Sequence, residues 1–327
     1  MATGKKANIL YVLKVLEEYS DENHPLTQVR ISDLINSRYG LEVERKTIGS
    51  SLQILTEVGY DINKVDKKGF YLGDRIFYSS EITFLTDAIY SSKSLNDRQS
   101  RKLLEEIFST LSIYDRKQYL MMHKTSGDIS RTKNNEVIYN IEIISECIKK
   151  KKCVAFNLVT YDENGNEVLS WERYVSPYFL VNSDGKYYLV ANYYRSEDLT
   201  NFRIDRMKNV HIREDRPRKE LRDLKDVNSD FSISDYINDR VYMFGGPVVT
   251  AKIEIEDHDK IRYIKDWFGE RAILQKVGDK LYAQVKTEEQ ALCYWAMQYI
   301  EYFKVIEPAS AKEKIKELLS KGIEKYQ

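Results

Sequence analysis

Residues 44–53 carry side chains that could read DNA from one face of a short helix. Ile48 and Leu52 have the spacing of core-facing positions, which leaves a polar set on the outer face and its edges. That set is Arg45, Lys46, Thr47, Ser50, Ser51 and Gln53. Arginine and lysine suit guanine or phosphate, glutamine suits adenine, and small hydroxyls allow close approach. The pattern predicts a recognition helix whose N-terminal half lies in the major groove.

Three lysines follow at the tip of a predicted β-hairpin. Two short apolar runs, 60–62 and 70–72, flank a polar stretch, which is typical of a hairpin. Lys64, Lys67 and Lys68 would then contact the DNA backbone beside the recognition helix. Residues 1–75 contain 11 basic and 11 acidic side chains, so DNA binding requires that these charges be sorted in space. A winged helix that binds another protein stays open as an alternative.

The elements that must position these residues are three helices in residues 1–75. Apolar side chains recur at helical spacing in 6–19, 27–38 and 45–58, with breaks at 21–25 and at Gly40. Three helices followed by a hairpin predict a winged helix-turn-helix DNA-binding domain over 1–75. Residues 76–135 predict a helical linker, helical over 79–124 and ending in a polar loop at 125–135.

Beyond residue 136 a helix gives way to strand patterns. These patterns occupy 154–161, 171–181, 186–194 and 201–212, with a hairpin turn at 162–166. Strands at this short spacing predict a small, strongly curved sheet or barrel within a domain at 136–240, and the charged stretch 214–230 predicts a linker. Strands and helices alternate over 241–327, which predicts a compact α+β sandwich. The fold class expected is a multidomain α+β protein.

Composition restricts the class of protein only loosely. The 327 residues include 51 basic and 51 acidic side chains, so net charge argues neither for nor against nucleic acid. Three cysteines without a CxxC pair predict neither a zinc ribbon nor a disulfide framework and favour a reducing cytoplasm. The first twenty residues do not resemble a signal peptide, and no apolar run approaches the roughly 20 residues that span a bilayer. We expect a cytoplasmic protein without membrane contact.

Motifs that would indicate catalysis are missing from the sequence. The four histidines, at 24, 123, 211 and 258, lack metal-ligand spacing. Neither a glycine-rich phosphate loop after a strand nor a GxSxG elbow is present. We therefore predict no enzymatic activity, no metal and no cofactor.

Three stretches of the strand-rich region resemble the WYL-domain family. They are 176–181, 185–191 and 201–207, with the eponymous Trp-Tyr-Leu present as Tyr187-Tyr188-Leu189 and an arginine signature at 202–206. Residues 47–72 resemble the helix-turn-helix domain that commonly precedes WYL domains, and the C-terminal segment resembles the extension that follows them. The resemblance covers nearly the whole chain in the same order.

The resemblance implies an SH3- or Sm-like barrel that senses a ligand, with nucleic acid or a nucleotide as the effector. Its site residues would be Tyr178, Tyr188, Arg203 and Arg206. Arginine binds phosphate through a planar fork, and tyrosine can stack on a base. Strand alternation places Arg203 and Asp205 on one face and Arg206 on the other, so a shared pocket needs a bulge or a strand end. In the alternative, Tyr187 and Tyr188 pack the barrel and Arg206 pairs with Asp205 or another nearby acid.

These features lead to three hypotheses about function. The first is a homodimeric, sequence-specific transcriptional regulator of bacterial type that binds double-stranded DNA and senses a ligand through the WYL domain. The second is a WYL accessory protein that binds RNA or single strands and modulates another nucleic-acid machine. The third is an unrecognised enzyme.

Overall fold

The computed structural model describes residues 7–122, 131–225, 227 and 230–327. Positions 1–6, 123–130, 226, 228 and 229 lie outside this set. They include the start of the predicted first helix, the end of the helical pattern at 79–124, most of the predicted loop at 125–135 and part of the predicted linker at 214–230. The chain divides into two compact units, residues 1–135 and 136–327.

The first unit begins with three helices around one apolar core. They are α1 (Asn8–Tyr19), α2 (Gln28–Tyr39) and α3 (Arg45–Glu57). The Thr27 hydroxyl caps α2 by accepting from the Arg30 amide at 3.2 Å, and Gly40 ends that helix with a φ of 66°. The core cluster contains Val12, Val15, Leu16, Ile31, Ile35, Ile48, Leu52 and Leu55, which come from all three helices. The helical spacing in the sequence therefore corresponds to a shared buried face.

A two-stranded antiparallel wing follows α3. Strands β1 (Ile62–Val65) and β2 (Gly69–Leu72) pair with Val65 opposite Gly69. The Phe70 amide donates to the Leu26 carbonyl at 2.8 Å, and the Leu26 amide donates back to Phe70 at 2.7 Å, which ties the wing to the chain between α1 and α2. Gly69 has a φ of 124°, and a Cβ there would lie 2.2 Å from the Leu26 oxygen. The wing therefore requires glycine at this position.

Three further helices complete the described part of the first unit. They are α4 (Ser79–Ser91), α5 (Asp97–Phe108) and α6 (Ile113–Met122). Their own small core includes Ile82, Leu104, Phe108 and Tyr119. The Ser112 hydroxyl before α6 donates to Asp21 at 3.2 Å, and the Tyr114 ring stacks on His24 with centroids 3.6 Å apart. The segment expected to be a linker is thus packed against the winged helix within one unit.

The second unit opens with α7 (Val137–Lys150) packed on an antiparallel sheet. The strands are β3 (Lys152–Tyr161), β4 (Glu167–Leu169), β5 (Arg173–Ser183), β6 (Lys186–Tyr193), β7 (Leu199–Arg203) and β8 (Met207–Pro217). The spatial order is β4-β3-β5-β6-β7, and β8 pairs with β3. Phe156, Leu189, Phe202 and Ile204 belong to the core beneath α7.

The predicted closed barrel is not formed. Residues 201–212, predicted as one strand, contain the end of β7, a 3-10 turn at Ile204–Arg206 and the start of β8. The turn interrupts the backbone ladder, so among the described residues no hydrogen-bonded pairing joins β7 to β8. The six-stranded sheet is therefore open between β7 and β8 in the described residues. The predicted linker at 214–230 was also placed too early, because β8 continues to Pro217.

The C-terminal part of this unit is a four-stranded antiparallel sheet with helices. After the short α8 (Ile233–Asn238) come β9 (Val248–Ile255), α9 (Ile261–Phe268), β10 (Ile273–Val277), β11 (Lys280–Glu288), α10 (Glu289–Gln298), β12 (Phe303–Glu307) and α11 (Ala309–Tyr326). The strand order is β10-β11-β9-β12. Trp295 lies fully buried in its core with Phe268 and Phe303. The segment thus combines strands and helices around one core.

Candidate nucleic-acid interface and ligand site

The first two turns of α3 expose a continuous polar face. Arg45, Lys46, Ser50 and Gln53 are exposed and Thr47 is half-buried, whereas Ile48 and Leu52 are buried on the opposite side. Counted from Arg45, the other four residues follow at one, two, five and eight positions, which places them on adjoining parts of a helix of 3.6 residues per turn. The structure therefore brings five of the six predicted α3 residues to one accessible surface.

Ser51 is the exception, and its assignment to the DNA-binding face is wrong. Its side chain is only 4% exposed, and its hydroxyl donates to the Thr47 carbonyl at 2.9 Å within the helix. The position follows Ile48 by three residues and precedes Leu55 by four, so it shares the core-facing side of the helix. A small hydroxyl whose hydrogen bond is made within the helix can occupy such a buried position.

Hydrogen bonds at both ends of this face fix two of its side chains. The Arg45 Nε donates to the Gln28 Oε1 at 2.9 Å, which joins the first residue of α3 to the first residue of α2. The Gln53 Nε2 donates to the Glu57 Oε1 at 2.9 Å, one turn further along α3. Gln28 was missed by the sequence analysis because its role depends on the packing of α2 against α3, which helical spacing alone does not reveal.

The wing presents the three predicted lysines to solvent. Lys64 lies in β1, and Lys67 and Lys68 lie in the turn between the strands. Lys67 has a φ of 59°, and the Lys68 amide donates to the Val65 carbonyl at 3.1 Å, which closes the turn. All three lysines thus occupy exposed positions of one short hairpin.

In the second unit, Tyr188 and Arg203 lie directly opposite each other on β6 and β7. They form a cross-strand pair and share one face of the sheet. The Arg203 guanidinium binds the Asp205 carboxylate through two bonds, 3.0 Å from Nε and 2.6 Å from Nη2. Burial raises the pKa of the Tyr188 hydroxyl, and the positive charges of Arg203 and Arg206 oppose that rise.

The Asp205 bond changes the expected role of Arg203. The Asp205 carboxylate binds Arg203, the arginine that the alternative had not paired with it. Arg203 spends two of its donors on this contact, whose hydrogen bonds raise the pKa of the guanidinium. Arg206 is exposed at the end of the 3-10 turn that follows β7. A surface shared by both arginines requires the strand to end in this way.

Tyr178 has a packing role. Its side chain is 4% exposed, its hydroxyl donates to the Lys219 carbonyl at 3.2 Å, and the Arg218 guanidinium lies 5.2 Å from its ring centroid. Burial raises the pKa of this hydroxyl to about 12. The ring therefore offers no exposed face for stacking on a base. Tyr187, which stands where the motif has Trp, is half-buried against the core beneath α7.

The second unit contains a cleft that was not predicted from the sequence. It has a volume of about 770 Å³ and is bounded by the start of β7, by α8 and by the loop before β9. Arg240 and Tyr236 line it, and none of the four predicted ligand residues does. No sequence signal marks this cleft, because its walls come from segments far apart in the chain.

The described residues contain neither a metal-binding cluster nor a helix that could span a membrane. No group of three or more His, Cys, Asp or Glu side chains in this part of the chain could hold a metal ion. Among the helices described, none combines the length and apolar character needed to cross a membrane.

These observations define a mixed α+β protein with a helical N-terminal region and several antiparallel sheets. The family profile of the WYL domain matches residues 139–212, from α7 into β8. Residues 139–212 therefore match the WYL domain, and the predicted resemblance to the WYL-domain family is confirmed for this segment. A comparison with curated proteins returned no match.

Two solved structures resemble the chain over most of its length. Proteasome accessory factor B/C (PafBC) of Arthrobacter aurescens is 16% identical over 99% of this chain, with a TM-score of 0.30. This chain spans about half of that protein, 49% of its length. A CRISPR Cas-related protein is 14% identical over 98% of this chain and 84% of its own, with a TM-score of 0.38.

Proposed function

We propose that this protein is a sequence-specific DNA-binding transcriptional regulator whose WYL domain senses a nucleic-acid or nucleotide effector. The observation that carries the proposal is the exposed face of α3. Arg45, Lys46 and Gln53 project from the first turns of a helix whose opposite side is buried. A helix presented in this way, with base-reading side chains near its N-terminus, matches the geometry of helix-turn-helix recognition.

The wing supports the same proposal. Lys64, Lys67 and Lys68 supply exposed positive charge on the hairpin that follows α3. Phosphate contacts of this kind provide much of the affinity for duplex DNA but carry no sequence information. In this proposal α3 reads the bases and the wing binds the DNA backbone.

We further propose a homodimer. One recognition helix buries little surface, whereas two helices related by a two-fold axis read half-sites about one helical turn apart. Light scattering at micromolar protein concentration measures the assembly directly. A monomer both with and without DNA would contradict this part of the proposal.

The proposed effector surface lies at the ends of β6 and β7. Tyr188 is half-buried, Arg206 is exposed, and the charge of Arg206 acts on the Tyr188 hydroxyl. An aromatic ring beside a guanidinium suits a base and its phosphate. Arg203 contributes by holding Asp205 and fixing the strand end. We propose no catalytic step at this surface.

A mobility-shift assay with duplex DNA from the protein's own promoter region tests the DNA-binding proposal. Single-stranded DNA and RNA of the same sequence serve as competitors. We expect Gln53→Ala to weaken specific binding by about 1–3 kcal/mol if this side chain contacts a base. Gln275→Ala, an exposed position on β10, is the matched control and should bind as the wild type does. Preferential binding of RNA or single strands would instead favour the accessory-protein function.

A further inference from the structure

The cleft in the second unit has the dimensions of a small-molecule site. Its volume of about 770 Å³ falls within the roughly 300–1,000 Å³ typical of ligand pockets. Phe231 contributes aromatic surface and Arg240 positive charge, whereas the Tyr236 ring is buried under the Arg240 guanidinium and the Lys286 Nζ pairs with Asp239. Tyr188, Arg203 and Arg206 do not line it, so the cleft is separate from the proposed effector surface.

Arg240 is a buried cation without an anionic partner among the described residues. Its side chain is 8% exposed, and its guanidinium carbon lies 3.7 Å from the centroid of the Tyr236 ring. One Nη donates to the Tyr236 carbonyl at 3.2 Å, whereas the buried Nε has no hydrogen-bond partner in the described part of the chain. Burying a charged group with an unused donor costs several kcal/mol unless a partner compensates it.

The carboxylates nearest in sequence are already engaged by other cations. Asp239 is 4% exposed and lies 3.2 Å from an Arg271 Nη and 2.8 Å from the Lys286 Nζ. Asp235 lies 3.5 Å from the other Arg271 Nη. These acids have their own counter-ions, so the charge of Arg240 is left for a group that enters the cleft.

The remaining acids of the cleft are exposed. Glu197, Asp198 and Asp230 are open to water, where the repulsion of an anion is weak and screened by salt. Carboxylates in such positions are also suitable acceptors for the hydroxyl groups of a sugar. The cleft thus combines a buried guanidinium, aromatic surface and exposed acceptors.

We propose that this cleft binds a nucleoside monophosphate or a closely similar small phosphomonoester, with its phosphate on Arg240. The planar guanidinium fork matches phosphate oxygens, and charged hydrogen bonds to a buried arginine are stronger than those made in water. The half-buried Phe231 ring suits the base, and Glu197 and Asp198 suit sugar hydroxyls. This site requires neither DNA binding by α3 nor the surface around Arg206.

Titration calorimetry with adenosine monophosphate and with adenosine tests the assignment on the full chain. We expect the monophosphate to bind the wild type and adenosine to bind far more weakly. Arg240→Met removes the charge but keeps much of the side-chain length, and it should reduce affinity roughly tenfold to a hundredfold. Arg222→Met removes an exposed guanidinium outside the cleft and should have no effect.

A second variant keeps the test independent of the folding of Arg240→Met. Gly245 lines the cleft, and a Cβ there meets only the Leu199 oxygen, at 3.8 Å, so Gly245→Leu fills the cleft without backbone strain. It should lose the monophosphate while Arg206→Ala retains it. The assignment is overturned if Gly245→Leu or folded Arg240→Met binds the monophosphate as the wild type does, or if adenosine binds equally well. Absence of binding by the wild type at about 10 mM ligand overturns it too.

Discussion

Arg45 and Gln28 are joined by a hydrogen bond of 2.9 Å between the Arg45 Nε and the Gln28 Oε1. The bond connects the first residue of α3 with the first residue of α2. The Gln28 amide also lies over Gly49, where an added Cβ would meet its Nε2 at 3.0 Å. Gln28 thus holds the Arg45 guanidinium at the start of α3, and Gly49 leaves room for the Gln28 amide.

This contact leads to a prediction about DNA recognition. Arg45→Ala should weaken binding to a specific duplex by about 1–3 kcal/mol, since an arginine–guanine pair is worth that much. Gln28→Ala should produce a smaller loss, because it frees the guanidinium without removing it. Fluorescence anisotropy with specific and scrambled duplexes measures both effects. Arg38→Ala, whose guanidinium pairs with Glu18 at 2.9 Å, is the control, and equal binding by Arg45→Ala and Arg38→Ala would contradict the prediction.

The wing lysines should behave differently from Arg45. Lys67 has a φ of 59°, so Lys67→Asn removes the charge with less backbone strain than alanine would cause. We expect the variant to lose affinity for specific and scrambled duplexes by the same factor. The slope of log affinity against log salt concentration should fall by the contribution of about one phosphate contact. Affinities measured over a range of salt concentrations give that slope. Lys304→Asn, exposed on β12, should leave it unchanged; a loss confined to the specific duplex would assign Lys67 to base recognition instead.

The attachment of the wing can be tested at Gly69. In Gly69→Ala the new Cβ would fall 2.2 Å from the Leu26 carbonyl oxygen, so the bridge between Leu26 and Phe70 must open. We expect faster hydrogen exchange at the Leu26 and Phe70 amides and a loss of more than about 2 kcal/mol of local stability.

Gly165→Ala separates backbone strain from steric clash. Gly165 has a φ of 79°, but a Cβ there has no neighbour within 4 Å. This variant should cost about 1 kcal/mol and leave exchange at Leu26 and Phe70 unchanged. Unaltered protection in Gly69→Ala would show that the wing does not depend on this close approach.

The three helices and the hairpin of residues 8–72 were predictable because their signals are local. Apolar spacing located α1, α2 and α3, and Gly40 marked the end of α2. The same spacing also separated Arg45 and Gln53 from the buried side of α3. Ser51 was misassigned because a serine is compatible with either side of a helix, and only packing decides which.

The proposed effector surface and the proposed cleft site were harder to predict because they depend on contacts between distant segments. Alternation predicted Arg203 and Asp205 on one side of a continuous strand, but Asp205 lies in the 3-10 turn after β7, where its carboxylate binds Arg203. The 3-10 turn after β7 was hidden in a continuous β-like pattern. Arg240 stood in a segment without periodicity, and its burial follows from tertiary packing alone.

Alkaline pH should destabilise the six-stranded sheet by ionising the Tyr178 hydroxyl in β5. Burial raises the pKa of its hydroxyl to about 12 from a value near 10 in the unfolded chain. The protonated hydroxyl therefore contributes stability that is fully present below about pH 10 and is lost as the pH rises through about 12. We expect the urea midpoint of the wild type to fall between about pH 9 and pH 11.

Tyr178→Phe lacks this titration and should show a smaller fall over the same interval. Burial also raises the pKa of Cys147 to about 12, and that thiol contributes equally to both proteins. Tyr326→Phe, at a position that is almost fully exposed, should behave as the wild type does. Identical falls in Tyr178→Phe and Tyr326→Phe would mean that the buried hydroxyl does not control alkaline stability.

Substitution of Arg203 should affect stability, whereas substitution of Arg206 should affect the response to an effector. Arg203→Ala removes a bidentate partner of the buried Asp205 carboxylate and should lower the free energy of unfolding by about 1–3 kcal/mol. Arg206→Ala removes only an exposed side chain, so the fold and basal DNA binding should remain. If a short oligothymidylate is an effector, Arg206→Ala should abolish its influence on the affinity for duplex DNA.

That influence must be reciprocal, because coupling between two binding sites is one free energy. An oligothymidylate that changes the affinity of the wild type for its operator must itself be bound more or less tightly, by the same factor, when the operator is present. Calorimetric titrations of the oligothymidylate with and without saturating operator measure this factor, and anisotropy measures its counterpart. Arg206→Ala should show no coupling in either experiment. Coupling that persists at wild-type strength in this variant would remove Arg206 from the effector site.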